Sequence, residues 1–234
     1  MFSTFKITCL CVEVWTMDSL LPPAANDNTA VLRSQFLAAQ QQFFKDMSSI
    51  QGSAQAAPEF LRHIPNYAPE RFSRRENCYN FALDLVRHAN DCSGPLQPGY
   101  LSDSFGSAHS ETSLQEKTIA RAERDGLKRL SSFLDCSADE IPLALFFDLD
   151  VMLKDYHWFA LRRLPAQDTL AYAWAHKRGE YRVQLAAPLR TTKENLGHIN
   201  IFNSAAQAGY RYFAGFFAAP KAMTGRAYKL SSII

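Results

Sequence analysis

Apolar residues near the start of the chain recur at mixed spacings of three and four, the spacing of side chains on one face of a helix. A cluster of Pro, Asn and Asp residues ends at Asn28, and Thr29 is suited to cap a helix over residues 30–47. The small and polar stretch 48–58 then predicts a linker. We therefore expect an N-terminal docking helix outside the main domain.

Helical spacing returns in two longer segments. Residues 77–91 place four apolar residues three or four positions apart, and a segment rich in Gly and Pro ends this predicted helix. A further helix is predicted over residues 110–134, where Ser113 and Glu116 fit a capping box. Gly126 lies inside that span and disfavours a continuous helix.

From residue 141 onward the pattern changes to runs of aromatic and branched aliphatic residues, which favour β-strands. Breakers such as Pro165 and Gly179 separate or bound these runs. Helices followed by consecutive strands are typical of an α+β domain with a largely antiparallel sheet. The predicted strands cover residues 141–153, 155–164, 169–177 and 210–220.

The N-terminal residues predict a flexible leader rather than a targeting segment. Residues 1–15 have some apolar character, but Glu13 interrupts the run and no small-residue cleavage site follows, so a signal peptide is not favoured. Met1 and Met17 are both candidate translation starts. The chain is thus divided into a leader (1–28), an N-terminal helix with its linker (29–58) and a catalytic domain (59–234).

Composition excludes several classes of protein. The 234 residues, 47% hydrophobic and 21% charged, can bury a core, which excludes disordered, collagen-like and coiled-coil chains. A net charge of +2 is too small to favour nucleic acid as a partner. The longest apolar runs fall far short of the roughly 18 residues that span a bilayer. Five irregularly spaced cysteines indicate free thiols rather than a disulfide scaffold.

Cys78 is the first candidate for chemistry. It lies near the start of its predicted helix, where backbone N–H groups and the helix dipole stabilise a negative sulfur. We therefore expect a thiolate that is alkylated near pH 6, where ordinary cysteines react slowly. The alternative is a buried and inert thiol, and this is the interpretation for Cys9, Cys11, Cys92 and Cys136.

Two histidines strengthen the case for Cys78. His157 and His176 each lie between aromatic residues in a predicted strand. Alternation places His157 on the face of Asp155 and Phe159, and His176 on the face of Trp174. If the two strands form a hairpin, the imidazoles become cross-strand neighbours. This arrangement predicts that His157 is a general base whose tautomer His176 fixes.

Together these residues predict nucleophilic catalysis. Cys78 attacks a carbonyl, and His157 takes its proton and later protonates the leaving group. Backbone N–H groups at the helix start stabilise the oxyanion. A zinc site built from the same Cys and the two His residues is disfavoured, because none has the short paired spacing of zinc motifs, and no cofactor or metal is predicted. Three residues are alternative partners that could orient the base: His198, Asn200 and Asp168.

The order of a helix-start Cys, a strand His and a polar residue on the next strand resembles the papain-like cysteine peptidases. A His as third member resembles their NlpC-type branch. The segments ENCYNFALD, QPG, DYHWFAL, WAHKRG and FAGFFAAP are similar to the motifs NCY-x-(Y/F)-A, QPG, DxHWY and W-S-H-K-P-G, and to the terminal aromatic strand, of a set of poorly characterised proteins. This resemblance covers residues 75–220 and implies a papain-like α+β fold, with the Cys-bearing helix packed on a mainly antiparallel sheet.

The resemblance implies that Cys78 is the nucleophile, His157 the general base and His176 the third residue. Ala175 and Arg178 replace the Ser and Pro of the last motif, a departure that removes no proposed catalytic atom but bears on substrate preference. No Gln precedes the nucleophile at the papain-like spacing, so no side-chain oxyanion donor is identified.

The sequence therefore predicts a cysteine-dependent hydrolase that cleaves a peptide or amide bond through a thioester on Cys78. Its expected substrate is a peptide, a cell-wall peptide or, for an exported effector, a protein of another cell. An acyltransferase or transglutaminase-like enzyme is one alternative. The other is a non-catalytic interaction protein whose aromatic residues, including Trp158 and Trp174, form a binding face. The expected location is the cytoplasm, or outside the cell after export without a cleavable signal peptide.

Overall fold

The structure of the protein is a computed structural model. Residues 1–26 of the predicted leader, with both candidate starts, lie outside the described residues, so those predictions stay as they are, whereas its last two residues, Asp27 and Asn28, belong to a helix. The structure describes residues 27–52, 59–72, 76–87, 94–102, 113–149, 154–164, 171–178, 182–190, 201–224 and 227–228.

Four α-helices and eight strands form within these ranges. The helices are α1 (Asp27–Gly52), α2 (Cys78–Ala82), α3 (Leu114–Arg124) and α4 (Ile201–Gln207). None of the described helices is long and apolar enough to cross a membrane. The strands are β1 (Val86–Arg87), β2 (Lys128–Leu130), β3 (Glu140–Leu149), β4 (Lys154–Leu164), β5 (Ala171–Arg178), β6 (Arg182–Arg190), β7 (Tyr212–Pro220) and β8 (Ala227–Tyr228).

Six of the strands form one antiparallel sheet in the order β2-β7-β3-β4-β5-β6. Strands β3 to β6 follow one another as a meander, and β7 returns to the other edge of β3. Strands β1 and β8 form a separate parallel pair. The predicted α+β class with a mainly antiparallel sheet is confirmed, and the four predicted strands correspond to β3, β4, β5 and β7.

Helix α1 covers one face of the sheet. Phe43 is buried among four aromatic rings at centroid distances of 5.8 to 6.5 Å: those of Phe133, Trp174, Phe202 and Phe216. Phe36 and Phe43 belong to the same buried cluster as the sheet residues, although the sequence predicted a helix outside the main domain. The helix begins at Asp27, so the prediction of Thr29 as its cap is wrong, and it continues to Gly52, so residues 48–52 of the predicted linker are helical.

Helix α2 packs on the opposite face. The ring of Tyr79 lies 5.5 Å from that of Trp158. Arg162 is buried below the helix and donates to the Ala82 carbonyl at 3.3 Å. Trp158 and Arg162 alternate with His157 along β4, so α2 and the side chain of His157 lie on opposite faces of the sheet.

The prediction of one helix over residues 77–91 is wrong, because α2 ends at Ala82. Asp84 has a φ of 53°, in the left-handed region, and the N–H of Leu85 donates back to a carbonyl inside the helix at 2.9 Å. Many helices end in this way, with a left-handed residue followed by an N–H group that donates back to a carbonyl of the helix. It depends on contacts with distant residues, such as the ion pair between Arg71 and Asp84 at 3.2 Å, and apolar spacing does not reveal those.

The predicted capping box of Ser113 and Glu116 is confirmed, but the predicted helix over residues 110–134 is too long: it begins at Leu114 and does not continue through its second half. The N–H of Glu116 donates to Ser113 Oγ at 3.1 Å, and the N–H of Ser113 donates to the Glu116 carboxylate at 3.1 Å, which is the predicted capping box. The helix ends at Arg124. Gly126, with a φ of 99°, then turns the chain into β2.

Strand β6 and helix α4 had no prediction. The sequence of β6 contains Pro188, a residue that disfavours strand interiors, yet β6 pairs along the outer edge of β5. Helix α4 has only seven residues, too few for a clear helical period. Both elements therefore form through their tertiary contacts rather than through a strong local pattern.

We expect Phe43→Ala to lower the free energy of unfolding by about 3–5 kcal/mol, because it removes a buried ring and leaves a cavity. Val31→Ala on the same helix is the matched control, since Val31 is 56% exposed, and it should change stability by less than about 0.5 kcal/mol. Urea unfolding followed by circular dichroism measures both. Equal, small effects would contradict the inclusion of α1 in the core.

Candidate active site

Asn77 fixes the start of α2. Its side-chain oxygen accepts the N–H groups of Tyr79 and Asn80, each at 3.0 Å, and Asn80 Oδ1 accepts the N–H of Asn77 at 3.3 Å. The Asn77 amide donates to the Leu96 carbonyl at 2.8 Å, and the Leu96 N–H donates to Asn80 Oδ1 at 3.0 Å. Cys78 is thus the first residue of the helix, held between the sheet and the segment at Leu96.

The thiol of Cys78 lies against the backbone of β4 on both sides of His157. It donates to the carbonyl of Tyr156, with Sγ and O 3.9 Å apart, and the N–H of Trp158 also interacts with the sulfur. The ladder between β4 and β5 ends at Ala160. The thiol is therefore located beyond the end of the ladder, beside the part of β4 that carries His157.

The two predicted histidines contact each other directly. Nε2 of His157 and Nδ1 of His176 are 2.6 Å apart, and both side chains are buried. The expected cross-strand proximity is confirmed, with one difference in register. Ala160 pairs with Ala175, which places Phe159 opposite His176, and these two rings stack at 4.5 Å. His157 is consequently a diagonal neighbour of His176.

This contact constrains the protons of both rings. A hydrogen bond between two imidazoles needs one donor and one acceptor. If His157 becomes an imidazolium, its Nε2–H donates, and His176 must be neutral with its own proton on Nε2. Nδ1 is then the nitrogen of His157 that can exchange a proton with a further group.

The expectation of a resting thiolate at Cys78 is wrong. Burial raises the pKa of this thiol from 9.0 to about 12, and the charge of Asp155 adds to the rise, while the N–H groups of Trp158, Cys78 and Tyr79 oppose it. Helix α2 has only five residues, and its dipole does not offset the loss of water around the sulfur. The thiol is protonated at neutral pH, so any nucleophilic role requires a base.

Tyr156 and Gln97 form a contact close to the thiol. The O–H of Tyr156 donates to Gln97 Oε1, and Gln97 follows the Leu96 that is bonded to α2. Burial raises the pKa of Tyr156, and ionisation of the Cys78 thiol would raise it further, which indicates that the phenol lies near the sulfur. No Gln precedes Cys78 at the papain-like spacing, whereas the fold brings Gln97, which follows Cys78 in the sequence, close to the thiol.

Asp125 holds this segment in place. It accepts the O–H of Tyr79 at 2.8 Å, the N–H of Gly99 at 2.7 Å, and both the N–H and the Oγ–H of Ser102 at 2.8 Å. Burial raises the pKa of Asp125, and these hydrogen bonds oppose the rise. Asp125 thereby connects the segment of Gln97 to α2. Its position just after a helix gave no sequence signal for this role.

Tyr210 is a further residue of the site that the sequence analysis missed. Its ring stacks on that of His157 at a centroid distance of 4.5 Å and an interplanar angle of 20°. Its O–H donates to Asp155 Oδ2 at 3.0 Å. The contact depends on α4, a helix that the sequence pattern did not predict, so nothing distinguished Tyr210 from the other tyrosines.

Several other predictions fall outside the described residues, among them those for His198, Asn200, Asp168, Cys9, Cys11 and Cys92. Cys136 is buried, and burial raises its pKa to about 12, which agrees with the prediction of an inert thiol. Within the part of the chain that the structure describes, no group of three or more His, Cys, Asp or Glu side chains is arranged to hold a metal ion.

The geometry defines an α+β protein in which a buried, helix-start cysteine contacts the backbone of the strand that carries His157, one of two hydrogen-bonded histidines. No family model, curated protein or solved structure matches the chain. The resemblance to papain-like peptidases therefore depends on the residues of this chain alone.

We expect Asn77→Ala to destabilise the protein by about 1 kcal/mol or more through loss of the helix cap. It should also speed alkylation of Cys78, because the start of α2 and the segment at Leu96 lose their connection. Ser113→Ala removes the equivalent cap of α3 and is the matched control, with a similar cost in stability and no change at Cys78. Peptide mass spectrometry after iodoacetamide treatment measures the rate; the same rate in both variants would contradict this role of Asn77.

At pH 7 we expect iodoacetamide to label Cys78 more slowly than a cysteine in a short peptide, whose pKa is about 8.5. The rate should rise continuously up to the highest pH at which the protein stays folded, because burial raises the pKa of the thiol. The measurement is the labelling rate against pH. A rate that is already constant between pH 6 and 7, and that falls in His157→Ala, would show a resting ion pair and contradict this expectation.

Proposed function

We propose that the protein is a papain-like cysteine hydrolase that cleaves a peptide or amide bond through a thioester on Cys78. The observation that supports this is the hydrogen-bonded pair of His157 and His176, 2.6 Å apart, of which His157 lies on the strand whose backbone the thiol contacts. A nucleophile, a base and a group that orients the base are the minimum set for such a reaction.

The first step transfers a proton within the site. The thiol meets the backbone of β4 where the ladder with β5 has ended, and from there it turns from the carbonyl of Tyr156 past the strand towards Nδ1 of His157 on the other face, since Nε2 is engaged by His176. The proton moves from Sγ to Nδ1 as Sγ bonds to the substrate carbonyl carbon, and the carbonyl electron pair moves to oxygen. His176 accepts the Nε2–H of the new imidazolium and stabilises its charge.

The oxyanion needs donors at the start of α2. The N–H groups of Tyr79 and Asn80 are bonded to the side chain of Asn77, which leaves the N–H of Cys78 as the first backbone candidate. The oxyanion then collapses, the C–N bond breaks, and His157 gives its proton to the departing amine. Water attacks the thioester with His157 as base, which releases the acid and restores the thiol.

The proposed chemistry determines one feature of the substrate, the amide bond that is cleaved. A peptide, a cell-wall peptide or a protein of another cell each supplies the amide that the mechanism requires. If an amine rather than water accepts the acyl group, the same residues catalyse acyl transfer, and the protein is an acyltransferase or a transglutaminase-like enzyme. The products formed with and without an added amine distinguish these reactions.

A second candidate is a non-catalytic interaction protein on the same fold. The observation that favours it is the burial of Cys78, a residue that is only 9% exposed and whose thiol has its pKa raised to about 12. An inert buried cysteine has both properties. The two candidates differ in one testable respect, since only the hydrolase forms a covalent bond between Cys78 and an acyl group.

A panel of N-acyl amino-acid p-nitrophenyl esters tests the hydrolase, with release of p-nitrophenolate as the readout. We expect Cys78→Ala and His157→Ala each to lower kcat/KM by at least about 100-fold, because residues that act as a unit lose most of the activity singly. His176→Asn should keep more activity than His176→Leu, since the Asn side chain can accept the Nε2–H of His157.

Cys136→Ala is the matched control, because Cys136 is also a buried free thiol and lies outside the site. It should hydrolyse the esters at the wild-type rate. Wild-type activity in Cys78→Ala would refute the proposed hydrolase. Binding of a protein or peptide that is unchanged in Cys78→Ala, without any ester hydrolysis by the wild type, would favour the interaction protein.

A further inference from the structure

We infer that Tyr210, supported by Asp155, is a positioning residue that fixes the ring plane of His157. This inference rests on the proposed function, since it assigns a role to the environment of the proposed base. It starts from two contacts of one side chain: the stack of Tyr210 on His157 at 4.5 Å and 20°, and the hydrogen bond from its O–H to Asp155 Oδ2 at 3.0 Å.

The backbone places Tyr210 on His157 through the end of α4. Gly209 has a φ of 97°, a conformation that suits glycine, and its N–H donates to the Ala206 carbonyl at 3.0 Å. The N–H of Tyr210 then donates to the Ala205 carbonyl at 2.9 Å, which completes a Schellman motif. The helix itself is anchored by the fully buried Phe202. Tyr210 therefore has a fixed backbone that does not depend on its own side chain.

Asp155 holds the outer end of the Tyr210 ring. Its Oδ1 accepts the N–H of Tyr156 at 2.8 Å, and its Oδ2 accepts the phenol, so both carboxylate oxygens are engaged. Burial raises the pKa of Tyr210, and Asp155 contributes to the rise, so the phenol remains a neutral donor. Because Asp155 and His157 lie two residues apart on one face of β4, the carboxylate holds the ring directly above the imidazole.

The imidazole of His157 is thus restrained on three sides. Nε2 contacts His176, Tyr210 covers one ring face, and Phe159 approaches at 5.2 Å with an interplanar angle of 80°. A rotation about the Cβ–Cγ bond would break both the stack and the hydrogen bond to His176. The contacts therefore fix the direction in which the proposed base atom Nδ1 points. A misplacement of about 1 Å in a catalytic group can lower the rate about 100-fold.

Charged and titratable groups lie around the ring of His157. Asp155 lies on the same strand, and Asp148 pairs with it across the ladder from β3. His176 faces the ring from β5, Tyr210 from the segment after α4, and the thiol of Cys78 contacts the adjacent backbone. Nearby carboxylates stabilise the imidazolium that proton transfer creates.

The experiment compares Tyr210→Leu and Tyr210→Phe with Tyr212→Leu in the full chain. Tyr212 is a half-buried tyrosine two residues away on β7, and Tyr212→Leu is the matched control. Two readouts are used. One is the NMR titration of the histidine rings, with the His157 signal assigned by its absence in His157→Ala, and the other is the kcat and KM of p-nitrophenyl ester hydrolysis.

We expect Tyr210→Leu to shift the His157 signal and its pKa and to lower kcat about 10- to 100-fold with little change in KM, because only the base is displaced. Tyr210→Phe keeps the stack and should rescue most of the kcat, with a residual change in the titration from the lost Asp155 contact. Tyr212→Leu should leave the His157 titration, kcat and KM at wild-type values.

An unchanged His157 titration in Tyr210→Leu would overturn the positioning role, whatever the protein catalyses. Equal effects of Tyr210→Leu and Tyr212→Leu would also overturn it, because the effect would then be one of general stability. A shifted titration in a protein whose wild type hydrolyses no ester would leave the positioning of His157 in place and instead refute the proposed hydrolase.

Discussion

The candidate site depends on where the ladder between β4 and β5 stops. Neighbouring antiparallel strands normally occupy each other's hydrogen-bonding edge. Beyond the pair of Ala160 and Ala175 the backbone of β4 meets the thiol of Cys78 instead, and a bulge between β5 and β6 follows Trp174 at the same level. Another pair of the ladder would fill this space with backbone. Because the pairing ends here, Cys78 of α2, on one face of the sheet, can contact the backbone of β4. The side chain of His157 on the same strand points to the opposite face.

Helix α2 is short, and its position is fixed at both ends. Asn77 caps its start and connects it to Leu96, while Arg162 donates to its last carbonyls from within the sheet. Burial lowers the pKa of Arg162 to about 10, so the guanidinium remains charged at neutral pH, and it lies over the ring of Phe81 at 4.8 Å. A buried cation that lost these acceptors would be costly, which makes the placement of α2 well determined.

The same burial determines the chemistry open to Cys78. A thiol surrounded by protein keeps its proton, so its position at a helix start does not make it a nucleophile by itself. In the proposed mechanism the reactivity comes from His157 as a base, and this base must be held where it can accept the proton. The contacts of His157 with His176, Phe159 and Tyr210 supply that restraint. In this account the precise placement of neutral groups replaces a preformed ion pair.

The sequence predicted the parts of this arrangement that have a strong local pattern. Alternation along β4 and β5 placed His157 and His176 close together, and the capping pair Ser113 and Glu116 located the start of α3. Features set by distant residues were not predictable. The end of α2 at Asp84, the approach of Gln97 and the stack of Tyr210 all depend on the folded chain. The raised pKa of Cys78 belongs to this group, because burial is a tertiary property.

The central claim is that Cys78 forms a thioester with an acyl group, and trapping that intermediate tests it most directly. The protein is mixed with an N-acyl amino-acid p-nitrophenyl ester, quenched in acid within the first turnover, and mapped by peptide mass spectrometry. The account predicts an added acyl mass on the peptide that contains Cys78, which disappears on treatment with hydroxylamine and does not form in His157→Ala. An acyl mass on other residues only, or equal modification with and without His157, would contradict the account.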